Sequence, residues 1–410
     1  MPRPSLDLFL LFGTRMARMF AYGAVSVILV LYLVQRGLGE ASIGLLLTLT
    51  LLGDTAISLW LTTHADRFGR RRTLFTGAGL MIAAGAVFAA TGNVPLLLAA
   101  ATIGVISPSG YEVGPFLAIE QAGLTQLVSP TKRTSIFAWY NLCGSFATAL
   151  GAAVAGVLTQ SRIEAGGTAL DGYRAVLMLY AAMGLVLALA FGLLSPMVEP
   201  PHNSSGSRTW WGLGRSRRSV LRLSGLFSLD AFGGGFVVQS VVAYWFHLRF
   251  HVPPAGLGAI FFATNLLAGI SALLAARLAR RIGLIRTMVF THIPSNLLLL
   301  LVPLMPSLPL AVALLLLRYT ISQMDVPARQ SYTMGLVDPE ERSAAAGVTG
   351  VARTTGAALS PGLAAAMVAS SAWMNLPFFL AGSIKLAYDL LLYRGFRNQR
   401  VQEEPGLRLE

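Results

Sequence analysis

The octapeptide Leu127-Val128-Ser129-Pro130-Thr131-Lys132-Arg133-Thr134 returns 209 residues later as Leu336-Val337-Asp338-Pro339-Glu340-Glu341-Arg342-Ser343. The same offset sets Gln121 against Gln330, and Ala149-Leu150 against Ala358-Leu359. A second trace pairs Arg67-Phe68-Gly69 with Arg281-Ile282-Gly283. Two such traces at matching places describe a chain built from two copies of one plan, and the fold must be read one half at a time.

What flanks the repeated segments is apolar. Of 410 residues, 55% are hydrophobic and only 12% charged, against roughly 25% charged in a soluble domain. A soluble fold has no interior large enough for that surface, and the composition equally excludes disordered, collagen-like and coiled-coil chains. A membrane-crossing helix needs about 20 mostly apolar residues. Candidate spans read at 8–34, 42–63, 73–92, 94–127, 135–158, 175–194, 223–248, 256–276, 287–304, 308–336, 343–370 and 373–393. The fourth and tenth are long for one crossing, so as continuous helices they would tilt or project. The octapeptide follows the fourth span of each half and the second trace follows the second. The expectation is an all-α membrane protein: twelve transmembrane helices in two pseudo-symmetric six-helix bundles around a central cavity. The bundles are placed at 1–195 and 223–395, with a cytoplasmic linker at 196–222 and a cytoplasmic tail at 396–410.

Charge sets orientation. The net charge is +13, from 31 Lys and Arg against 18 Asp and Glu. The N-terminus, the even-numbered loops and the C-terminus hold 21 of the basic residues and the odd-numbered loops hold four, which places both termini in the cytoplasm by the positive-inside rule. This scatter of short basic clusters points to topology rather than to nucleic acid. The linker carries Pro200-Pro201, a Ser/Gly run, Trp210-Trp211 and several arginines; it reads either as solvated or as lying on the inner membrane surface. Cys143 is the lone cysteine, so no intrachain disulfide exists. Arg15 and Arg18 inside the first apolar run argue against a cleaved signal.

The loop Ala65-Asp66-Arg67-Phe68-Gly69-Arg70-Arg71-Arg72-Thr73-Leu74 resembles the signature between the second and third helices of the major facilitator superfamily, Gly-x-Leu-Ala-Asp-Arg-x-Gly-Arg-Lys/Arg-x-x-Leu. It departs at Thr62 and His64. The segment Ser107–Phe116 resembles a microbial branch of that superfamily. The resemblance implies secondary active transport of a small molecule by alternating access, without a cofactor, and a conformational latch formed by Asp66, Arg67, Gly69 and Arg70, with Glu120 pairing to Arg70 or Arg71. Independently of family, Gly69 permits a tight turn, Asp66 suits helix-terminal amides and the arginines suit an anionic leaflet. A topology determinant alone is the alternative. The resemblance is incomplete: 98–112 lacks an arginine common in exporters, and no Gly-Pro closes the fifth span.

Ionisable residues inside spans are costly and therefore site candidates. Asp54 and Glu112 fall near mid-span and suit proton coupling; a fixed salt bridge to Arg15 or Arg18 is the alternative. Glu120 reads as a structural partner before a proton carrier. Arg318, Ser322, Asp325 and Arg329 share one face if the tenth span is continuous; Arg318 would clamp an anionic substrate group or pair with a carboxylate of the other half, and Asp325 would pair with Arg329, with a purely structural ladder as the alternative. Arg353 adds a cation. Tyr140, Asn141, Tyr244 and Asn265 are further cavity candidates. Gly144, Gly151 and Gly156 read as helix-packing positions. No metal-ligand spacing or nucleophile–base set is visible, and His247 with His251 reads as an interface pair, so an enzyme is not expected. The expected protein is a monomer of the cell (inner) membrane, exporting a small organic compound against protons. The alternatives are a proton-coupled importer of a small anionic solute and a non-transporting membrane sensor or scaffold.

Overall fold

The computed structural model describes residues 4–129, 133–199, 216–337 and 341–398. Most of the linker with Trp210 and Trp211, the tail beyond 398, Lys132, and the side chains of Asp66 and Arg67 lie outside the described residues. Among the described residues there are helices and no strand, as lipid demands of a chain that must satisfy its backbone internally.

The helices are α1 Pro4–Gln35, α2 Glu40–Phe68, α3 Arg70–Ala90, α4 Val94–Ile103, α5 Phe116–Leu127, α6 Arg133–Glu164, α7 Ala169–Leu193, α8 Arg217–Gly235, α9 Gln239–Phe250, α10 Pro254–Ile282, α11 Leu284–Leu301, α12 Leu308–Tyr319, α13 Asp325–Leu336, α14 Arg342–Ala358, α15 Pro361–Ala369 and α16 Leu376–Phe396. Every expected span is helical, but four are interrupted. The fourth is α4 and α5 with 104–115 unwound, the seventh is α8 and α9, the tenth is α12 and α13, and the eleventh is α14 and α15. Continuous fourth and tenth helices are therefore corrected. The causes are local. Pro108 and Pro115 lack the donor a helix needs and disfavour helix in the residue before them, while Gly110 and Gly114 adopt φ of 73° and 83°. The freed backbone groups find partners: Tyr22 donates to the Val113 carbonyl at 3.1 Å, Tyr180 to Val105, and Ser107 to Tyr111 at 2.7 Å.

The repeat is visible in the helices. α5 and α13 are both 12 residues long and start and end at the same offset of 209, as do the starts of α6 and α14. Gly69 and Gly283, at φ 95° and 86°, precede α3 and α11. Thr73 and Thr287 each return a side-chain hydrogen bond to that glycine's carbonyl, at 3.0 and 2.8 Å. A residue with a Cβ is disfavoured at that φ, which explains why this glycine recurs.

The chain forms two compact units, Met1–Ser205 with Val238–Asn265, and Gly206–Val237 with Leu266–Glu410. In the first, α1 packs along α6, and Gly151 lets the Phe20 carbonyl approach to where a Cβ would stand 1.9 Å away. In the second, α8 packs along α14, where Gly356 meets the Ser228 carbonyl in the same way. Residues 238–265 belong to the first unit, and Ser240 donates its backbone N–H to Pro108 at 3.1 Å.

Candidate functional site

In the first unit α1 turns Thr14, Arg15 and Arg18 toward the interrupted fourth span, because residues three and four apart share a helix face. Arg18 is fully buried and grips Glu120 with both terminal nitrogens, at 2.9 and 2.7 Å. Its Nε reaches Glu112 at 2.7 Å, and Arg15 pairs with the other Glu112 oxygen. Glu120 also accepts from Thr14 at 2.8 Å and from the Tyr140 hydroxyl. The Arg18 guanidinium lies over the Phe116 ring and that of Arg15 over Tyr140. Two arginines thus neutralise two carboxylates, and the hydrogen bonds they exchange are what make burial of four charges tolerable.

This corrects the expected pairing of Glu120 with Arg70 or Arg71. Glu120 on α5 faces α1, and no described side chain of the 68–72 loop reaches it. Glu112 likewise stands in the unwound stretch between two arginines, not in mid-helix as its place in the fourth span suggested. Tyr140 is fully buried as a partner of Glu120, and Asn141 is exposed.

Asp54 is different. It accepts from the Gly114 backbone N–H at 2.6 Å and from Ser58 at 3.1 Å. Among the described residues no cation lies within ion-pair distance of it. The break in the fourth span supplies the donor, because Gly114 lies outside helix and its amide is free to leave the backbone ladder. A polar string also crosses this unit, with Asn265 donating to Gln239 at 3.1 Å and Gln239 to Ser26 at 2.8 Å. Tyr244 is buried one turn and a half after Gln239.

The loop before α3 is anchored by a residue from the start of the expected linker, Glu199. The Glu199 carboxylate accepts from the backbone N–H groups of Arg70 and Arg71, at 2.7 and 3.1 Å, capping the positive end of α3. Arg71 donates to the Gly192 carbonyl at 2.9 Å and Arg70 to Val198 at 3.2 Å.

The second unit holds a larger network. Asp230 on α8 accepts from Lys385 on α16 at 2.6 Å and from Arg329 on α13 at 3.2 Å. Arg329 pairs four residues back with Asp325 at 3.2 Å. His292 on α11 meets Asp389 at 2.8 Å, and Asn296 donates to the same carboxylate at 3.0 Å. These groups rest on an apolar floor that includes Phe227, Met288, Tyr332, Tyr388 and Leu392. Arg318 closes α12 with its guanidinium over the Tyr319 ring. The break at 320–324 takes Ser322 out of helix, so Arg318 does not share one continuous face with Asp325 and Arg329; that expectation is corrected. Arg318 and Arg353 have no carboxylate within ion-pair distance among the described residues, and the buried Nε of each has no hydrogen-bond partner. A lone histidine in an apolar run carries no spacing signal, so the sequence alone does not single out His292.

The family model of the Major Facilitator Superfamily matches residues 11–361. The uncharacterized membrane protein YJR124C of Saccharomyces cerevisiae is 31% identical over 419 residues, covering 95% of this chain and 93% of the yeast protein. Among solved structures, a mutant form of the nucleoside transporter NupG is similar with a TM-score of 0.77 at 13% identity, over 95% of this chain and 100% of that one. The D-xylose-proton symporter is similar with a TM-score of 0.74 at 15% identity, over 94% and 97%.

Proposed function

Since the chain belongs to the major facilitator superfamily, we propose that it exports a small organic compound from the cell in exchange for protons, by alternating access. It is a membrane transporter and not an enzyme; the direction, the proton and the membrane are our reading. The cell (inner) membrane is the site, with both termini cytoplasmic, as the distribution of basic residues supports. The observation that carries proton coupling is the Asp54 carboxyl. It lies within a span and accepts two hydrogen bonds, with no cation beside it among the described residues. A permanent charge there costs at least about 2.5 kcal/mol, so the carboxyl gains by taking up a proton. Glu112, held between two arginines, gains nothing comparable, and its role is to fix α1 against the unwound span. The proton-coupled sugar symporter among the similar folds supports coupling of this kind. The loop Asp66–Arg72 is the conformational latch in this reading, and Glu199 holds its Arg70 end.

Arg318 and Arg353 favour a second reading, uptake of a small anionic solute with protons. A guanidinium without a carboxylate in a span calls for an anion, and a substrate carboxylate or phosphate would supply it.

The test is flux in proteoliposomes with a panel of labelled metabolites, with and without a pH gradient. Asp54→Asn should abolish gradient-driven accumulation and spare counterflow exchange. Glu112→Gln should lower the folded yield. If Asp54→Asn concentrates solute as well as the parent protein, Asp54 is not the carrier.

A further inference from the structure

The second unit contains a buried histidine with one side open to a proton. His292 Nδ1 stands 2.8 Å from an Asp389 oxygen. A carboxylate offers only lone pairs, so Nδ1 must carry the hydrogen. Asn296 donates to the other Asp389 oxygen at 3.0 Å and so fixes the carboxylate that the imidazole grips. The remaining nitrogen, Nε2, then bears a free lone pair. It faces an Asp230 oxygen at 3.7 Å, too far for a hydrogen bond. That same Asp230 oxygen takes the Lys385 ammonium at 2.6 Å.

We propose that His292 is a second proton-binding site of the transporter, and that its protonation loosens the Lys385–Asp230 ion pair next to the break in the seventh span. This rests on the reading of the chain as a proton-coupled transporter.

The charged and aromatic groups around His292 come from α16, α8, α13 and α14, while α12, which also packs on α11, carries one charged side chain, Arg318, at its end. Asp389, Lys385 and the Tyr388 ring come from α16, the ring 5.9 Å away and edge-on. Asp230 comes from α8, and Arg329 with Asp325 from α13. Arg353 on α14 lies in the electrostatic field of Asp230, Asp325 and Arg329. With His292 neutral, the carboxylates of Asp230, Asp325 and Asp389 balance the cations Lys385, Arg329 and Arg353. One added proton leaves an unbalanced positive charge.

The step is a plain proton transfer. The Nε2 lone pair takes a proton, and the new N–H turns to Asp230 and competes with Lys385 for the same oxygen. When the proton leaves, the lone pair returns and Lys385 regains its hold. Asp230 lies on α8 six residues before the break at 236–238, and Lys385 Nζ packs 3.5 Å from where a Gly234 Cβ would stand. Protonation is thereby felt at the end of α8, where the helix of the seventh span is interrupted. In the second reading, uptake of an anion with protons, the extra charge also favours the solute in the protonated unit, which links the two binding events by reciprocity.

The experiment has two arms. In the first, a variant with His64, His202, His247 and His251 replaced by Gln leaves His292 as the only histidine, and its ring nitrogens are followed by NMR over about pH 5 to 9, without substrate. His292 should titrate, with Nε2 as the nitrogen that gains the proton, and Asp389→Asn should move the transition. A ring fixed in one protonation state over that range overturns the proposal, whatever the transport assay shows. In the second arm, His292→Gln in the otherwise unaltered chain should lose pH-gradient-driven accumulation while counterflow persists. Accumulation equal to that of the parent protein overturns the proposal and leaves Asp54 coupling standing. If His292→Gln does not fold, the titration decides alone. If the parent protein moves no solute of the panel, the transport reading fails and the titration still tests the site.

Discussion

Glu120→Gln separates a structural carboxylate from a mobile one. Glu120 is fully buried and receives both terminal nitrogens of Arg18 at 2.9 and 2.7 Å, Thr14 at 2.8 Å and the Tyr140 hydroxyl. The amide keeps the shape, removes the charge and turns one acceptor into a donor facing donors. Arg18 then keeps its Nε contact with Glu112 and at most one of its two hydrogen bonds to position 120. Breaking a buried pair from one side costs about 3–5 kcal/mol. At about 2–4 °C per kcal/mol for units of this size, even 3 kcal/mol lowers the melting midpoint by about 6–12 °C. The assay is heating of purified protein in detergent, followed by the fraction that stays monodisperse on a sizing column. Glu120→Gln with Arg18→Met should recover much of the loss, because an apolar replacement of both partners is often neutral. A Glu120→Gln protein that melts with the parent and fails only in coupling would refute the reasoning and make Glu120 a proton carrier.

Gly151→Ala would set a Cβ 1.9 Å from the Phe20 carbonyl, forcing α1 from α6; the folded yield in membranes should collapse. Glu199→Ala removes the cap on Arg70 and Arg71 and should cost about 1–3 kcal/mol, read as a lower melting midpoint with insertion intact. Arg318→Ala should abolish transport of an anionic solute, and Arg318→Lys should restore it poorly if two nitrogens grip the anion. Unchanged flux in Arg318→Ala removes the residue from the substrate path.

The repeat makes the two-half architecture legible in the sequence. The offset between Leu127 and Leu336 is the offset between the ends of α5 and α13, and the Arg-x-Gly traces mark Gly69 and Gly283 at equivalent helix starts. Hydropathy placed all the spans, because a lipid-facing helix must be apolar whatever its neighbours. It did not place the breaks. The stretch 104–115 joins two apolar runs into one candidate span, and only the prolines and glycines within it signal unwinding. Pairing was legible where the partners share a helix, as with Asp325 and Arg329. It was not where they are remote: Glu120 with Arg18 is set by how α5 turns toward α1, and Glu199 was hidden in a stretch that reads as linker. His292 shows the same limit, since its meaning comes from Asp389, almost a hundred residues away.

The central claim is that solute movement and proton movement are one process. Proteoliposomes loaded with a pH-sensitive dye, at equal pH inside and out, test it directly when a concentrated solute is added outside. The account predicts a pH change inside that begins with the solute, saturates with its concentration and vanishes in Asp54→Asn while labelled solute still exchanges. Solute movement with no change in internal pH, in a tight vesicle, would contradict it.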